Sequence, residues 1–111
     1  MTDQSDLNIP LSQLQFDGDD GARAISSEWS TMQIGAMLQH VIQRHATNLL
    51  DDGTPIVVSV TFDASEAATS GAEIQFESRI DRRTRTLVFA SGTAAHADRH
   101  LLKATVVFRI A

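Results

Sequence analysis

Residues 30–50 read STMQIGAMLQHVIQRHATNLL and carry the strongest helix signal in the chain. Ser30 and Gln33 fit a capping box, in which the serine hydroxyl accepts from the third amide of the helix and the glutamine side chain reaches back. The residues that follow at helical spacing form one largely apolar stripe: Ile34, Met37, Leu38, Val41, Ile42, His45 and Leu49. We therefore predict a helix over about residues 31–50, with Gly53 as a left-handed C-cap and Pro55 preventing its continuation.

The sequence after Pro55 alternates between apolar and polar residues, which is typical of strands. The alternation predicts four strands, over residues 56–63, 73–80, 87–95 and 102–110. In the first of them, one face is expected to carry Ile56, Val58, Val60 and Phe62. The turns Asp81–Arg85 and Ala97–His100 have the length of hairpin connections, so the strands that they join are expected to be antiparallel.

The N-terminal third carries weaker signals. Residues 1–8 are polar and are predicted to be a disordered tail, and residues 9–111 a single domain. A short first strand is expected around Leu14, followed by a turn at Asp17–Gly21 and a return strand from Ala22 to Ser27. A long helix and an antiparallel sheet bury their apolar faces most economically against each other, so the sequence indicates an α+β domain with the sheet around the helix.

Composition excludes several classes of function. The chain has 111 residues and no cysteine, which excludes a disulfide scaffold, a cysteine nucleophile and a thiolate metal site. Nine basic and fourteen acidic residues give a net charge of −5, which disfavours a general nucleic-acid binder. No apolar run approaches the roughly 18 residues of a membrane span, and the polar start is unlike a signal peptide, so we expect a cytoplasmic protein.

Two segments resemble the hotdog-fold acyl-CoA thioesterase superfamily, with its 4-hydroxybenzoyl-CoA and phenylacetate-pathway members. Residues 70–89, SGAEIQFESRIDRRTRTLVF, resemble the family's unit of a small residue, a strand, a basic turn and a second strand. Residues 98–110, DRHLLKATVVFRI, resemble its closing hairpin, which leads into the last strand of the domain. The resemblance covers about residues 11–110 and implies a sheet wrapped around one central helix. A cystatin-like or nuclear-transport-factor-like sheet around a helix is the alternative fold.

The resemblance also implies an activity. Hotdog thioesterases are dimers or dimers of dimers with active sites between subunits, and they hydrolyse acyl-CoA at the N-terminus of the long helix. There the free amides and the helix dipole stabilise a developing negative charge. Coenzyme A enters as part of the substrate, and no separate cofactor or metal is expected. The partners implied are a second copy of the chain and an acyl-CoA, with no nucleic acid or membrane.

The helix departs from the family pattern. Its start has no His-Gly-Gly, and the position of the usual catalytic carboxylate falls on His40. No Asp or Glu lies between Glu28 and Asp51. Candidate catalytic residues are therefore Glu28, a carboxylate beside Trp29 just before the helix, Gln33, which could orient a carbonyl or a water, and His40, since imidazole titrates near neutrality. Each also has a purely structural interpretation, as a loop acid, a capping residue and a half-buried histidine.

Three arginines form a basic cluster in this acidic chain. Arg82, Arg83 and Arg85 are candidate ligands for the phosphates of coenzyme A, since guanidinium groups form forked hydrogen bonds with phosphate; a solvated turn is the alternative. His96 and His100 flank another turn, but the sequence places no third ligand with them, so no metal site is predicted. The hypotheses are thus a thioesterase, a non-catalytic acyl-CoA-binding or assembly protein, and a cystatin-like interaction domain.

Overall fold

The computed structural model describes residues 8–111, so the predicted tail, apart from Asn8, lies outside the described residues. Six strands form one antiparallel sheet in the order β1-β2-β4-β5-β6-β3, which makes β1 and β3 its edges. The elements are a 3-10 helix (Leu11–Gln13), β1 (Gln15–Asp17), β2 (Gly21–Ile25), α1 (Thr31–Leu49), β3 (Pro55–Ala64), β4 (Glu73–Arg83), β5 (Leu87–His96) and β6 (Arg99–Ile110). The helix and the strands lie close to where the sequence predicts them, except that β1 begins only at Gln15, after a 3-10 helix, and β6 already begins at Arg99.

The capping box at the start of α1 is confirmed. The Gln33 N–H donates to Ser30 Oγ at 3.1 Å, and the Ser30 N–H donates to Gln33 Oε1 at 2.8 Å. The prediction for the other end is wrong, because the cap is Leu50, whose extended backbone and buried side chain end the helix. Gly53 does have a left-handed φ of 94°, but it lies in the turn that leads to β3.

The core lies between α1 and the inner face of the sheet. The helix buries its predicted stripe against side chains of β4, β5 and β6, among them Phe76 and Phe108. Helix and sheet are in close contact at Gly92, where an added Cβ would lie 2.8 Å from Ile42 Cδ1 and 2.7 Å from the Glu77 carbonyl oxygen. The small residues of β5 therefore allow the helix to pack closely against the sheet.

The predicted faces of β3 are wrong because the strand contains a β-bulge. Val57 pairs with Phe108 and Ser59 with Val107, so Val58 is the extra residue. An inserted residue reverses the alternation of faces along a strand. Val60 and Phe62 consequently lie on the inner face, whereas Ile56, which pairs with Arg109, lies on the outer one.

The basic cluster also differs from the prediction. A second bulge at Asp81 lets β4 continue to Arg83, so Arg82 and Arg83 lie in the strand and not in a turn. The connection to β5 is Thr84–Thr86, in which the Thr84 hydroxyl accepts from the Leu87 N–H at 3.0 Å. Arg85 is the only one of the three arginines in the turn.

The sheet has two ends that are distinguished by the direction of the helix. At the helix-start end, Gly35 lies against Phe62 near the end of β3 and Leu102 near the start of β6. At the helix-exit end, Gln43 Nε2 donates to the Pro55 carbonyl at 2.7 Å. The β4–β5 turn belongs to the helix-exit end, because the Ile110 N–H beside Pro55 donates to the Thr86 carbonyl at 2.8 Å. Among residues 8–111, no helix has the length and apolar character needed to cross a membrane.

Candidate functional site

The loop between β2 and α1 holds Glu28 in a strained conformation. Glu28 has a φ of 58°, in the left-handed region that few residues other than glycine adopt, and its side chain is exposed. The left-handed conformation costs roughly 1–2 kcal/mol in a residue with a Cβ. The neighbouring Trp29 is half-buried and packs against the core, which anchors the loop. Strain of this kind concentrates at functional sites.

A buried hydroxyl lies two residues before Glu28. Ser26 is 2% exposed, and among the described residues its Oγ has no hydrogen-bond partner. The Ser26 N–H donates to the Ala72 carbonyl at 2.8 Å, and the Ser26 carbonyl accepts from the Gly71 N–H at 2.7 Å. These two bonds fix the backbone of Ser26. The loop thus combines a buried hydroxyl that has no partner among the described residues with a glutamate whose backbone is strained. Both features destabilise the fold.

The start of α1 offers free backbone donors next to this loop. The first N–H groups of a helix have no acceptor inside the helix. The Gln33 N–H is taken by Ser30 Oγ and the Ile34 N–H by the Ser30 carbonyl. The N–H groups of Thr31 and Met32 have no acceptor among residues 8–111, so they can bind an oxygen that develops negative charge.

The side chain of Gln33 is occupied at both polar ends. Its Oε1 completes the capping box, and its Nε2 donates to the Asn8 carbonyl at 3.0 Å. This second bond holds the N-terminal segment against the start of α1. A catalytic role for Gln33 remains a prediction, and it would require one of these bonds to open.

His40 lies in the middle of the helix and not at its start. It is half-buried, and its ring centroid is 6.2 Å from that of Phe16. Nine residues of helix place its Cα about 13 Å from that of Thr31 along the axis. His40 lines a groove of about 280 Å³ whose other walls are Ile9, Leu11, Ala36, Gln39 and Gln43.

The arginine cluster lies at the helix-exit end of the sheet. Arg82 stacks over the Phe89 ring, with its guanidinium carbon 5.8 Å from the ring centroid. Glu28 and the free amides lie at the helix-start end, at the opposite end of a 19-residue helix. A single subunit therefore does not bring the predicted catalytic and phosphate-binding residues together.

A histidine–serine pair connects the helix to the sheet. His45 Nδ1 and Ser78 Oγ are hydrogen-bonded at 2.9 Å, with Ser78 buried on the inner face of β4. The sequence predicts His45 only as a member of the largely apolar stripe of the helix. The signal that could have found the pair is a serine between Phe76 and Ile80, at an inward position of a strand that faces the helix stripe.

Replacement of Ser78 by alanine is expected to destabilise the fold by about 1–3 kcal/mol, because it leaves a polar ring nitrogen in the interior without its partner. Urea unfolding followed by circular dichroism measures the effect. The matched control is Thr47→Ala, which removes an exposed hydroxyl that donates to the Gln43 carbonyl and is expected to cost less than about 0.5 kcal/mol. Equal losses for the two variants would contradict a structural role for the pair.

An uncharged surface joins the edge strand β3 to the exposed face of the helix. Val58, Val60 and Phe62 are between 38% and 54% exposed, and Met32 is 71% exposed. Ala36, Gln39 and Gln43 continue this surface along α1 without a charged side chain. We call these seven residues the edge surface. Exposed apolar patches beside an unpaired strand are typical of interfaces.

Solved structures share this architecture. A phenylacetic acid degradation-related protein from Ralstonia eutropha, a thioesterase candidate, is 17% identical with a TM-score of 0.75, covering 87% of this chain and 83% of its own. A Bacillus halodurans protein solved with CoA is 10% identical with a TM-score of 0.77, over 89% and 72%. A hypothetical thioesterase protein from Streptococcus pneumoniae with coenzyme A is 8% identical with a TM-score of 0.75, over 87% and 86%. The chain has the hotdog fold.

The hotdog fold confirms the sequence-based expectation of one antiparallel sheet around one long central helix, and it replaces the cystatin-like alternative. No family model matches the sequence. No curated protein matches it either. The similarity to the solved structures is thus a similarity of backbone fold. The sequence identities are too low to assign functional residues by comparison, so these residues have to be inferred from the geometry of this chain.

Several of the remaining titratable side chains in the described part of the chain take part in hydrogen bonds or ion pairs. Within residues 8–111, no three His, Asp or Glu side chains converge as metal ligands would. His96 Nδ1 is hydrogen-bonded to the Glu73 carbonyl at 2.9 Å. Arg99 is paired with Glu66, whose carboxylate raises the pKa of the Arg99 guanidinium, first by hydrogen bonding and then by charge attraction. This exposed pair connects the β3–β4 loop to β6 at the helix-start end.

Proposed function

We propose that this hotdog protein is a cytoplasmic acyl-CoA thioesterase that acts at the start of α1, as a homodimer or a dimer of dimers. The observation that carries the proposal is Glu28, held in a left-handed conformation three residues before the free N–H groups of Thr31 and Met32. The coenzyme A in the Bacillus halodurans and Streptococcus pneumoniae structures supports the class of ligand.

The proposed reaction uses the loop carboxylate as a general base. The Glu28 carboxylate accepts a proton from a water whose oxygen attacks the thioester carbonyl carbon. The carbonyl oxygen becomes negatively charged and accepts from the N–H groups of Thr31 and Met32. The carbon–sulfur bond then breaks, and the protonated Glu28 returns its proton to the sulfur of coenzyme A. Glu28 therefore takes the role of the carboxylate that α1 lacks.

The edge surface is the proposed interface of the homodimer. Two copies of β3 can pair as antiparallel edge strands, which extends the sheet across the dimer and buries Val58, Val60 and Phe62 of each copy. Antiparallel pairing brings the helix-start end of one subunit beside the helix-exit end of the other.

In this proposed dimer the arginines can bind a ligand at the active site, which they cannot do within a single subunit. Arg82, Arg83 and Arg85 of the partner subunit lie at the same end as Glu28, so they can bind the phosphates of a coenzyme A whose thioester is at the start of α1. The groove lined by His40 is the proposed binding site of the acyl group. Gln33 is proposed to position the helix start through its capping bonds, and His40 to contact the substrate.

The alternative is an acyl-CoA-binding hotdog protein without catalysis. The observation that favours it is the helix itself, which has no acidic residue between Glu28 and Asp51. Under this hypothesis the free amides and the partner's arginines bind the ligand, and Glu28 is an exposed loop acid.

Hydrolysis of a panel of acyl-CoA esters by wild type and Glu28→Gln tests the proposal. Loss of a general base is expected to lower kcat/KM by about 10²–10⁴-fold, while Glu28→Gln still binds coenzyme A. The matched control is Asp51→Asn, at the far end of α1, which is expected to hydrolyse at the wild-type rate. Turnover of no ester by wild type, with a rise in Tm on adding acyl-CoA, would instead support the binding protein.

A further inference from the structure

The connection between β3 and β4 crosses the helix-start end of the sheet. β3 ends at Ala64 and β4 begins at Glu73. In the sheet, β6 and β5 lie between these two strands, so the connection spans three strand spacings, or roughly 14 Å. We call residues 65–72 the crossing segment. It lies at the end of the sheet where α1 begins, because β3 finishes there beside Gly35 of the helix.

One end of the crossing segment is fixed to β6. The Ser65 N–H donates to the Leu101 carbonyl at 2.9 Å, and the Glu66 carboxylate is paired with the Arg99 guanidinium. Further along, Ala68 is half-buried and packs against the core. The crossing segment is therefore held against the folded chain before it reaches β4.

The other end of the crossing segment is a tight turn that holds the backbone of Ser26. The Ala72 N–H donates to the Thr69 carbonyl at 3.2 Å, and Gly71, the third residue of the turn, has a φ of 85°. A positive φ at the third position alone is typical of a type II turn, which favours glycine there. The turn directs the Gly71 N–H to the Ser26 carbonyl at 2.7 Å, and the Ala72 carbonyl accepts from the Ser26 N–H at 2.8 Å.

The position of the Glu28 carboxylate depends on the backbone of this loop. Glu28 follows Ser26 by two residues, and within the part of the chain that the structure describes its side chain takes part in no ion pair. On one side of Glu28 are the two backbone bonds of Ser26. On the other side, Trp29 packs against the core and Ser30 caps α1. The loop that carries Glu28 is thus held between the crossing segment and the helix.

We propose that the crossing segment positions the Glu28 loop, with Gly71 as a positioning residue. The inference rests on the proposed function, in which Glu28 is the general base. A general base has to lie within hydrogen-bond reach of the water that it deprotonates. A side chain at Gly71 disfavours the left-handed backbone and so moves the N–H away from Ser26. No atom lies within 4 Å of a Cβ added at Gly71, so the effect is one of conformation and not of space.

The test compares the kinetics of Gly71→Ala and Gly71→Asn with those of wild type. Gly71→Ala is expected to lower kcat for acyl-CoA hydrolysis roughly 10–100-fold, since a misplacement of about 1 Å can cost about 10²-fold. KM is expected to stay within about twofold, because the groups proposed to bind coenzyme A keep their places. Gly71→Asn is expected to regain most of kcat, since asparagine tolerates the left-handed conformation.

Gly18→Ala is the matched control. Gly18 has a φ of 70°, and the nearest atom to an added Cβ is Asp20 Oδ1 at 3.7 Å, so the substitution strains a turn without a close contact. The turn lies at the far end of α1, where the Gly18 carbonyl accepts from Arg44. Gly18→Ala is therefore expected to lower Tm as Gly71→Ala does and to keep the wild-type kcat.

A double-variant cycle shows whether Gly71 acts through Glu28. In Glu28→Gln the base is already absent, so the addition of Gly71→Ala is expected to lower kcat by less than about twofold. The same loss in both backgrounds would overturn the proposal, because Gly71 would then act on the fold as a whole. A rise in KM at unchanged kcat, or an equal loss of kcat in Gly18→Ala, would overturn it as well.

Trp29 provides a readout that needs no turnover. It is the only tryptophan of the chain, and it adjoins Glu28 in the loop. In Gly71→Ala its fluorescence emission is expected to shift to longer wavelength, because a displaced loop exposes the indole, whereas Gly71→Asn and Gly18→Ala keep the wild-type emission. The same shift in a chain that hydrolyses no ester would support the positioning of the loop while the proposed function fails. Wild-type emission in Gly71→Ala would overturn the proposal, whatever the activity.

Discussion

Lysine at both Val58 and Val60 is expected to lower acyl-CoA hydrolysis at least 100-fold and to halve the particle mass. The two valines lie on the exposed edge of β3, where the proposed partner strand pairs. A two-fold interface repeats every substitution, so four ammonium groups would have to lose water together, at an effective penalty of several kcal/mol per ion. Light scattering and a thioester assay on the same sample measure both effects.

The matched control places the same charges on the other face of the strand. Ser59 and Thr61 pair with Val107 and Thr105 on the outer face, so Ser59→Lys with Thr61→Lys adds equal charge to β3 away from the partner's helix. This control is expected to keep its activity. A Val58→Lys, Val60→Lys variant that retains full activity at half mass would show that one subunit holds a complete site, against the dimeric cleft.

Gly92→Val is expected to leave the chain unfolded, and Gly92→Ala to cost about 3 kcal/mol, at the upper end of the range for overpacked cores. A Cβ at Gly92 meets Ile42 Cδ1 at 2.8 Å and the Glu77 carbonyl oxygen at 2.7 Å. The oxygen belongs to the backbone of β4 and cannot move without breaking the sheet. Chemical denaturation of Gly92→Ala, with wild type alongside, measures the loss.

A second variant separates the two contacts. Ile42→Val alone removes one methyl group from the core and should cost about 0.5–1.5 kcal/mol. In the double variant, part of the loss caused by Gly92→Ala is expected to be recovered, because the Cδ1 atom that it meets is gone. Gly71→Ala is a control for backbone strain without close packing, since Gly71 has a φ of 85° and no atom within 4 Å of an added Cβ. A double variant that recovers none of the stability lost in Gly92→Ala would exclude the contact with Ile42 as the cause.

The sequence predicts the features that depend on neighbouring residues. The capping box of Ser30 and Gln33 is a local hydrogen-bond pattern, and it places the start of α1 at Thr31. The stripe of the helix and the alternation of the later strands depend only on the periods of the two structures, so the α+β class and the antiparallel sheet follow from them.

The sequence does not predict features that depend on distant residues. The bulge at Val58 arises where β3 pairs with β6, and no sequence signal within β3 predicts it. The bulge at Asp81 likewise moved Arg82 and Arg83 out of the turn. The left-handed φ of Glu28 reflects the anchoring of Trp29 and Ser26 on either side, which only the folded chain supplies. The sequence therefore predicts the candidate residues and, through the resemblance, a site between subunits, but it does not predict that Glu28 and the arginines lie at opposite ends of α1.

The exposed edge of β3 also has a consequence for the life of the protein in a cell. A newly made subunit presents an open strand with three large apolar side chains, and such an edge is a template for aggregation as well as for the correct partner. A subunit without its partner would thus be at risk from proteases and from misassembly. For the proposed homodimer, the amount of active protein then depends on the rate at which two new chains associate, so low expression is expected to lower activity more than in proportion.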